Sequence, residues 1–235
     1  MCGIAGSIYL NTKQSTIAKE FTQKAINEIL YRGPDDYNTF EKENVSLGSC
    51  RLAINDLRDI ANMPMSSNCG RYTIVFNGEI YNFKYLRESL KLDFEFFTNS
   101  DTEVVLNSFI KFGPKCFDSF QGMFAVALWD NINKELTLAR DRLGKKPLFF
   151  NIENDFLYFC SEINPLIKYT SKNKKINKKF IEEIALFGEQ SKNLSAFQDI
   201  ERIEPNRYLA IKIKDNKFET FYGNYLSLLD LKVEI

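Results

Sequence analysis

The first apolar positions come close together, with Ile4, Ala5, Ile8, Tyr9 and Leu10 in CGIAGSIYL, and predict a buried strand near the N-terminus. Phe21, Ala25, Ile26, Ile29 and Leu30 then fall on one helical face, and RGPDD stops that helix. Tyr72 to Phe76 reads as a buried strand ending in Asn77-Gly78, and NFKYLRESLKL (82–92) as a helix with Tyr85, Leu86 and Leu90 apolar. Ser100-Asp101-Thr102-Glu103 has capping-box spacing and opens a helix that closes at Gly113-Pro114. The period then changes. MFAVALWD, ELTLARD, KPLFFNI and FLYFCSE read as strands separated by short turns such as DNINK and END. A helix around Phe180 to Phe187 follows, then a hairpin of YLAIKI and FETFYG around Lys214-Asp215-Asn216-Lys217.

Strands grouped with turns, and helices that cluster instead of alternating with strands, predict an α+β fold with antiparallel sheets. No repeat or long linker divides the 235 residues. Six lysines between Lys168 and Lys179 read as a solvated loop and helix start, with an anion-binding patch as the other reading.

Composition acts mainly by exclusion. Basic and acidic residues number 31 each, so no charge imbalance points to a nucleic acid or a membrane surface. The longest apolar run, Met123 to Trp129, is too short to cross a bilayer. MCGIAGSIYL has neither the basic stretch nor the cleavage site of a signal peptide, and a cytoplasmic address is the default expectation. The chain contains no histidine, which removes Ser-His-Asp triads, Cys-His pairs and His-containing metal sites. The five cysteines are odd in number and none lies within four residues of another, so neither a disulfide framework nor a CxxC site is indicated. No phosphate-binding glycine motif is present. The base of any catalysis must therefore be a lysine, a carboxylate or the chain's own amine.

Cys2 is the first candidate. A cysteine behind the initiator methionine is commonly just a small strand residue. If Met1 is removed, however, one residue carries both a thiol and a free α-amine. Their ordinary pKa values are about 8.5 and about 7.7–8.0, close enough for the amine to take the thiol proton near neutral pH. Gly3 is expected to let the backbone turn tightly beside the sulfur. Asn77-Gly78 has two readings, a hairpin turn or an oxyanion hole made of the Asn77 amide and the Gly78 N–H; alone, the dipeptide favours the turn. Arg51 and Asp101 read singly as a surface ion-pair partner and a helix-start residue. Together they suit an amino-acid substrate: Arg51 forks onto a carboxylate, while Asp101, with Glu79 near in sequence, holds an ammonium.

Read together, MCGIAG, YRGPDD (31–36), RLAIND (51–56), VFNGEIYN (75–82), NSDTEV (99–104), FQGMFAVALWD (120–130), ARDRLGKKPLFF (139–150) and FCSEI (159–163) resemble the N-terminal glutaminase domain of asparagine synthetases. These are class II glutamine amidotransferases. The resemblance implies the N-terminal nucleophile hydrolase fold, a four-layer αββα sandwich, over residues 2–223, with 224–235 a tail or the start of a linker. It implies that Cys2 attacks the side-chain amide of L-glutamine, that its amine serves as base and then acid, and that Asn77 and Gly78 hold the oxyanion. Arg51, with backbone groups of Ile54 and Asn55, would bind the substrate carboxylate, and Glu79 and Asp101 its ammonium. The family often has His where Ser49 stands, an apolar residue at Asn55, and Gly-His at Asn206-Arg207.

No cofactor or metal is expected in this domain; ATP and Mg belong to a synthetase domain, which is missing from these residues. The expected partners are L-glutamine and a synthetase domain or chain that receives ammonia, whose acceptor is left open, with a homodimer among the assemblies allowed. Two other readings stand beside this one: a silent glutamine-binding or interaction module, and a hydrolase of the same fold acting on another amide.

Overall fold

A computed structural model of the chain describes residues 2–170, 175–188 and 193–225. In chain order the elements are β1 (Gly3–Tyr9), α1 (Ser15–Glu28), β2 (Asp36–Lys42), β3 (Val45–Arg51), β4 (Met65–Ser66), β5 (Tyr72–Ile80), α2 (Phe83–Leu90) and α3 (Asp101–Phe112). They continue with β6 (Gly122–Asp130), β7 (Glu135–Arg140), β8 (Phe149–Glu153), β9 (Phe156–Cys160), α4 (Ile163–Tyr169), α5 (Lys178–Phe187), β10 (Glu201–Arg202), β11 (Arg207–Lys214) and β12 (Lys217–Asn224). The first sheet runs β10-β8-β9-β1-β3-β2 and the second β12-β11-β7-β6-β5-β4. Neighbours in both are antiparallel.

Alternation along the strands sends each sheet's side chains to two faces, and both faces are buried along the central strands, whereas the edge strands β2 and β12 are largely exposed. Ile4, Leu47, Val75, Trp129, Leu138 and Phe159 meet between the sheets. The outer face of the first sheet is covered by α1 and α4, through Phe21, Ala25, Ile26 and Leu166 against Tyr158. The outer face of the second is covered by α2 and α3, through Leu86, Leu90, Val105 and Phe109 against Phe76 and Phe124. Each such large side chain, fully buried, contributes about 1.5–3 kcal/mol. The result is the expected α+β architecture, four layers in the order helix, sheet, sheet, helix.

Several local expectations change. β5 does not end at Asn77-Gly78: it pairs with β6 through Asn77↔Ala125, Gly78↔Phe124 and on to Ile80↔Gly122. The hairpin-turn reading of that dipeptide is thereby overturned, because the β6 backbone supplies partners past it. Gly3 lies inside β1 and not in a tight turn. Its missing side chain matters for packing, since a Cβ there would stand 2.8 Å from both Cys50 Sγ and Ile29 Cδ1. β3 gave no pattern in sequence because VSLGSCR is buried at every position, and its small and polar residues break any alternation.

The turns obey the expected chemistry. Asp215 and Asn216 sit at φ 49° and 56°, the type I′ pair that joins β11 to β12. Asn206, standing where the family often has glycine, sits at φ 62°, a conformation that asparagine tolerates better than other side chains. In the lysine-rich stretch Lys175, Lys178 and Lys179 are exposed and α5 begins at Lys178; residues 171–174 lie outside the described part, as do Met1 and the tail from 226 onward.

Candidate active site

Cys2, Arg51, Ile54, Asn55, Asn77, Gly78, Glu79 and Asp101, the eight residues singled out in sequence, line one recess. Leu52, Asp56, Met63, Phe76, Ser100, Thr102, Met123 and Lys146 complete it. Cys2 immediately precedes β1 of the first sheet, Arg51 ends β3 beside it, Asn77 to Glu79 come from β5 of the second sheet, and Asp101 opens α3. The recess lies where the two sheets and the start of α3 meet.

Two hydrogen bonds and one close backbone approach set the position of Cys2. The Leu52 N–H donates to Cys2 Sγ at 3.4 Å. Arg32 Nε donates to the Cys2 carbonyl at 3.1 Å, and Arg32 is itself paired with Glu162. Gly33 lets that loop lie against β3: a Cβ there would meet the backbone of Cys50 and Arg51 at 2.6 Å. Burial pushes the Cys2 thiol up, opposed by the Leu52 backbone and the Arg51 charge. Unassisted, this thiol holds its proton more tightly than a solvated cysteine does, so attack requires a base close by.

The edge of β5 provides the donors. Phe76 N–H reaches Met63 Sδ at 3.3 Å and Ile80 N–H reaches Asp101 Oδ2 at 3.0 Å. Alternate residues of a strand turn their N–H groups the same way, so the Gly78 N–H between these two is directed to that edge, where β4 has already stopped pairing. Asn77 shares its face with Val75, toward the first sheet. Its Oδ1 and Nδ2 are both buried without a hydrogen-bond partner among the described residues. Leaving a buried polar group unsatisfied costs about 1–3 kcal/mol, a cost that a structural asparagine normally avoids. Gly78 is required by close packing, because a Cβ would stand 2.5 Å from Met123 O and 2.8 Å from Phe124 Cα.

Charges of both signs surround this edge. Arg51 is buried and donates to Asn62 Oδ1 and to the Asp56 carbonyl, which spends two of its N–H groups on holding the guanidinium in place. Asp56 in turn is fixed by Arg58 and by the Asn99 N–H at 2.7 Å; hydrogen bonds from Arg58 hold its carboxyl well below the usual range. Burial pushes the Asp101 carboxyl up, against hydrogen bonds from Ile80 N–H and the Asn55 side chain, and the nearby Glu79 charge adds to the rise. A cation placed between Glu79 and Asp101 reverses that effect. Ile54 and Asn55 form an exposed rim.

Arg32 in YRGPDD, Asp56 in RLAIND and Lys146 in ARDRLGKKPLFF carry no local pattern that marks them for a role. Lys146 is buried, which pulls its ammonium pKa down, and it lines the recess. Ser49, where the family often has His, lies outside the recess and donates to Met63 O at 2.7 Å.

Comparison with known proteins gives the family of the chain. A family model described as glutamine amidotransferase domain matches residues 1–222. An asparagine synthetase [glutamine-hydrolyzing] 3 of Bacillus subtilis (strain 168) is 34% identical over 209 residues, covering 87% of this chain and 34% of the relative. A putative asparagine synthetase [glutamine-hydrolyzing] 2 of Methanocaldococcus jannaschii is 32% identical over 253 residues, covering 99% of this chain and 48% of the relative. The chain spans about a third of the length of the first three curated relatives. Among solved structures, a glutamine phosphoribosylpyrophosphate amidotransferase from B. subtilis superposes with a TM-score of 0.67 at 18% identity, covering 96% of this chain and 49% of that one, a likeness of fold. The chain belongs to the glutamine amidotransferase domain family.

Proposed function

We propose that this domain hydrolyses the side-chain amide of L-glutamine through a thioester on Cys2, and that the ammonia released is used by a synthetase domain or chain. The observation that carries the reading is the orphaned Asn77 amide beside the Gly78 N–H, in one recess with the Cys2 thiol. Donors held in place and left unpaired by the protein suit an oxygen that becomes negative only during reaction.

In the proposed path the α-amine of Cys2, freed by loss of Met1, accepts the thiol proton. The thiolate adds to the amide carbon and the carbonyl oxygen becomes the oxyanion, held by Asn77 and Gly78. The ammonium returns its proton to the amide nitrogen, the C–N bond breaks and ammonia leaves. Water, deprotonated by the same amine, then attacks the thioester; the C–S bond breaks and glutamate is released with Cys2 restored. Arg51 binds the substrate carboxylate, assisted by backbone groups of Ile54 and Asn55, while Glu79 and Asp101 bind the ammonium. Every protein group in this path belongs to this domain, and ATP and Mg are assigned to the proposed synthetase partner. The curated relatives, named as asparagine synthetases, support ammonia transfer as the wider role, with aspartate as the proposed acceptor.

The test is direct. An electrophilic ketone analogue of glutamine should label Cys2 of the mature chain, and Cys2→Ala should lower glutamate release at least about 10³-fold. Glutamate release at the parental rate from that variant rejects the reading.

A further inference from the structure

A second cleft, of about 400 Å³, lies on the other side of the first turns of α3. Its walls are the turn after β4 (Ser67 to Cys69), the segment leading into α3 (Asp93 to Thr98), and Glu103, Leu106, Asn107 and Ile110 of α3 itself. Three observations bear on what it takes. Asn107 is more than nine-tenths buried, lines the cleft, and its side-chain amide has no hydrogen-bond partner among the described residues. The charged residues lining the cleft, Asp93, Glu95 and Glu103, are all acidic. Asp93 is paired with Lys111, and Glu103 is satisfied by the N–H groups of Phe97 and Thr98 and by the Thr98 hydroxyl; Glu95 is exposed and has no ion pair among the described residues. Met65, Phe94, Phe97, Leu106 and Ile110 supply an apolar wall.

An anion entering this cleft meets carboxylates and no lysine or arginine in the lining. A small organic cation meets an acceptor in the Asn107 carbonyl, a free carboxylate in Glu95, and apolar surface for its body. Cys69 stands exposed at the rim, its Sγ 3.5 Å from Ser67 Oγ. We propose that this cleft is a second binding site of the domain, taking a small organic ammonium with an apolar body, and that Cys69 is placed to capture such a ligand when it carries a disulfide. This site is separate from the proposed glutaminase chemistry and stands or falls independently of it.

Capture is ordinary thiol–disulfide exchange. The Cys69 thiol gives its proton to solvent and the thiolate attacks one sulfur of the reagent. The reagent's S–S bond breaks as the new S–S bond forms, and the departing thiolate takes a proton from water; the reagent disulfide is the only oxidant.

The experiment compares three disulfides on the full chain: cystamine (dicationic), hydroxyethyl disulfide (neutral) and dithiodipropionate (dianionic). Rates are followed by intact mass and the modified cysteine is located by peptide mapping. The expected result is capture of cystamine at Cys69 at least tenfold faster than of the dianion, with a rate that saturates in cystamine and is slowed by unreactive n-butylammonium. Glu95→Gln, an exposed change that spares folding, and Asn107→Ala should each cut the cystamine rate at least threefold while leaving the neutral reagent's rate unchanged. Equal rates for the three reagents, a dianion preference imposed by nearby Arg71, or a strictly linear dependence on cystamine overturns the proposal.

Discussion

α3 stands between two recesses that read in opposite ways. On the side of its first residue, Asp101, both signs of charge converge with an unpaired amide: Arg51 and Lys146 against Glu79 and Asp101, around Asn77. On the side of Glu103 and Asn107 the charged lining is acidic alone. The first arrangement suits a zwitterion, the second a simple cation. The difference teaches that a cleft's ligand class is written in the sign of its charges and in the polar groups the fold leaves unsatisfied. Size is the poorer guide, since the cleft of about 400 Å³ is the roomier of the two.

The comparison breaks most sharply at Asn77. If its amide serves the transition state, Asn77→Ala lowers kcat for glutamine hydrolysis about 10²–10³-fold with little change in KM. A change confined to KM makes it a ground-state contact instead. Next in size is the contrast between cysteines. Burial raises the Cys50 thiol to about 11 and the Cys160 thiol to about 12, and pushes Cys116 well up, whereas the Ser67 hydrogen bond and the Arg71 backbone lower Cys69. Raised thiols stay protonated at pH 8, so iodoacetamide should modify Cys69 first, Cys2 more slowly, and the other three on the order of 10² times more slowly than Cys69. Peptide mapping over time reads that order.

Smaller effects test the walls. Gly78→Ala must displace the β6 backbone and should cost roughly 3 kcal/mol in a denaturant titration, together with lost turnover. Glu103→Ala strips the acceptor from two backbone N–H groups and one hydroxyl and should cost roughly 2 kcal/mol. Glu103 turns away from the recess that holds Cys2 and Arg51, so KM for glutamine should move less in this variant than in one altered at Arg51.

Much of the fold was legible along the chain. β6, β7, β9 and the β11–β12 hairpin follow from apolar runs broken by turn residues, and α3 from Ser100, whose hydroxyl accepts from Thr102 N–H, through to Gly113 at φ 59°. Glu103 did not close the box with Ser100; it reaches back to Phe97 and Thr98. β3 was not legible, since a strand buried on both faces by small residues carries no period. The second cleft was equally silent. Cys69, Glu95 and Asn107 each look ordinary in sequence, and only the packing of the β4–β5 turn against α3 brings them together.

Local chemistry along the chain determined which residues carry reactive groups: a thiol at position two, a chain without imidazole, an arginine, an asparagine-glycine pair and an aspartate. It could not say which way those groups point. Asn77-Gly78 is the clearest case, because a dipeptide that turns chains in isolation is held straight here by the β6 strand some forty-five residues on. The pull of a distant partner's backbone outweighs local preference, and that pull exists only once two sheets have packed.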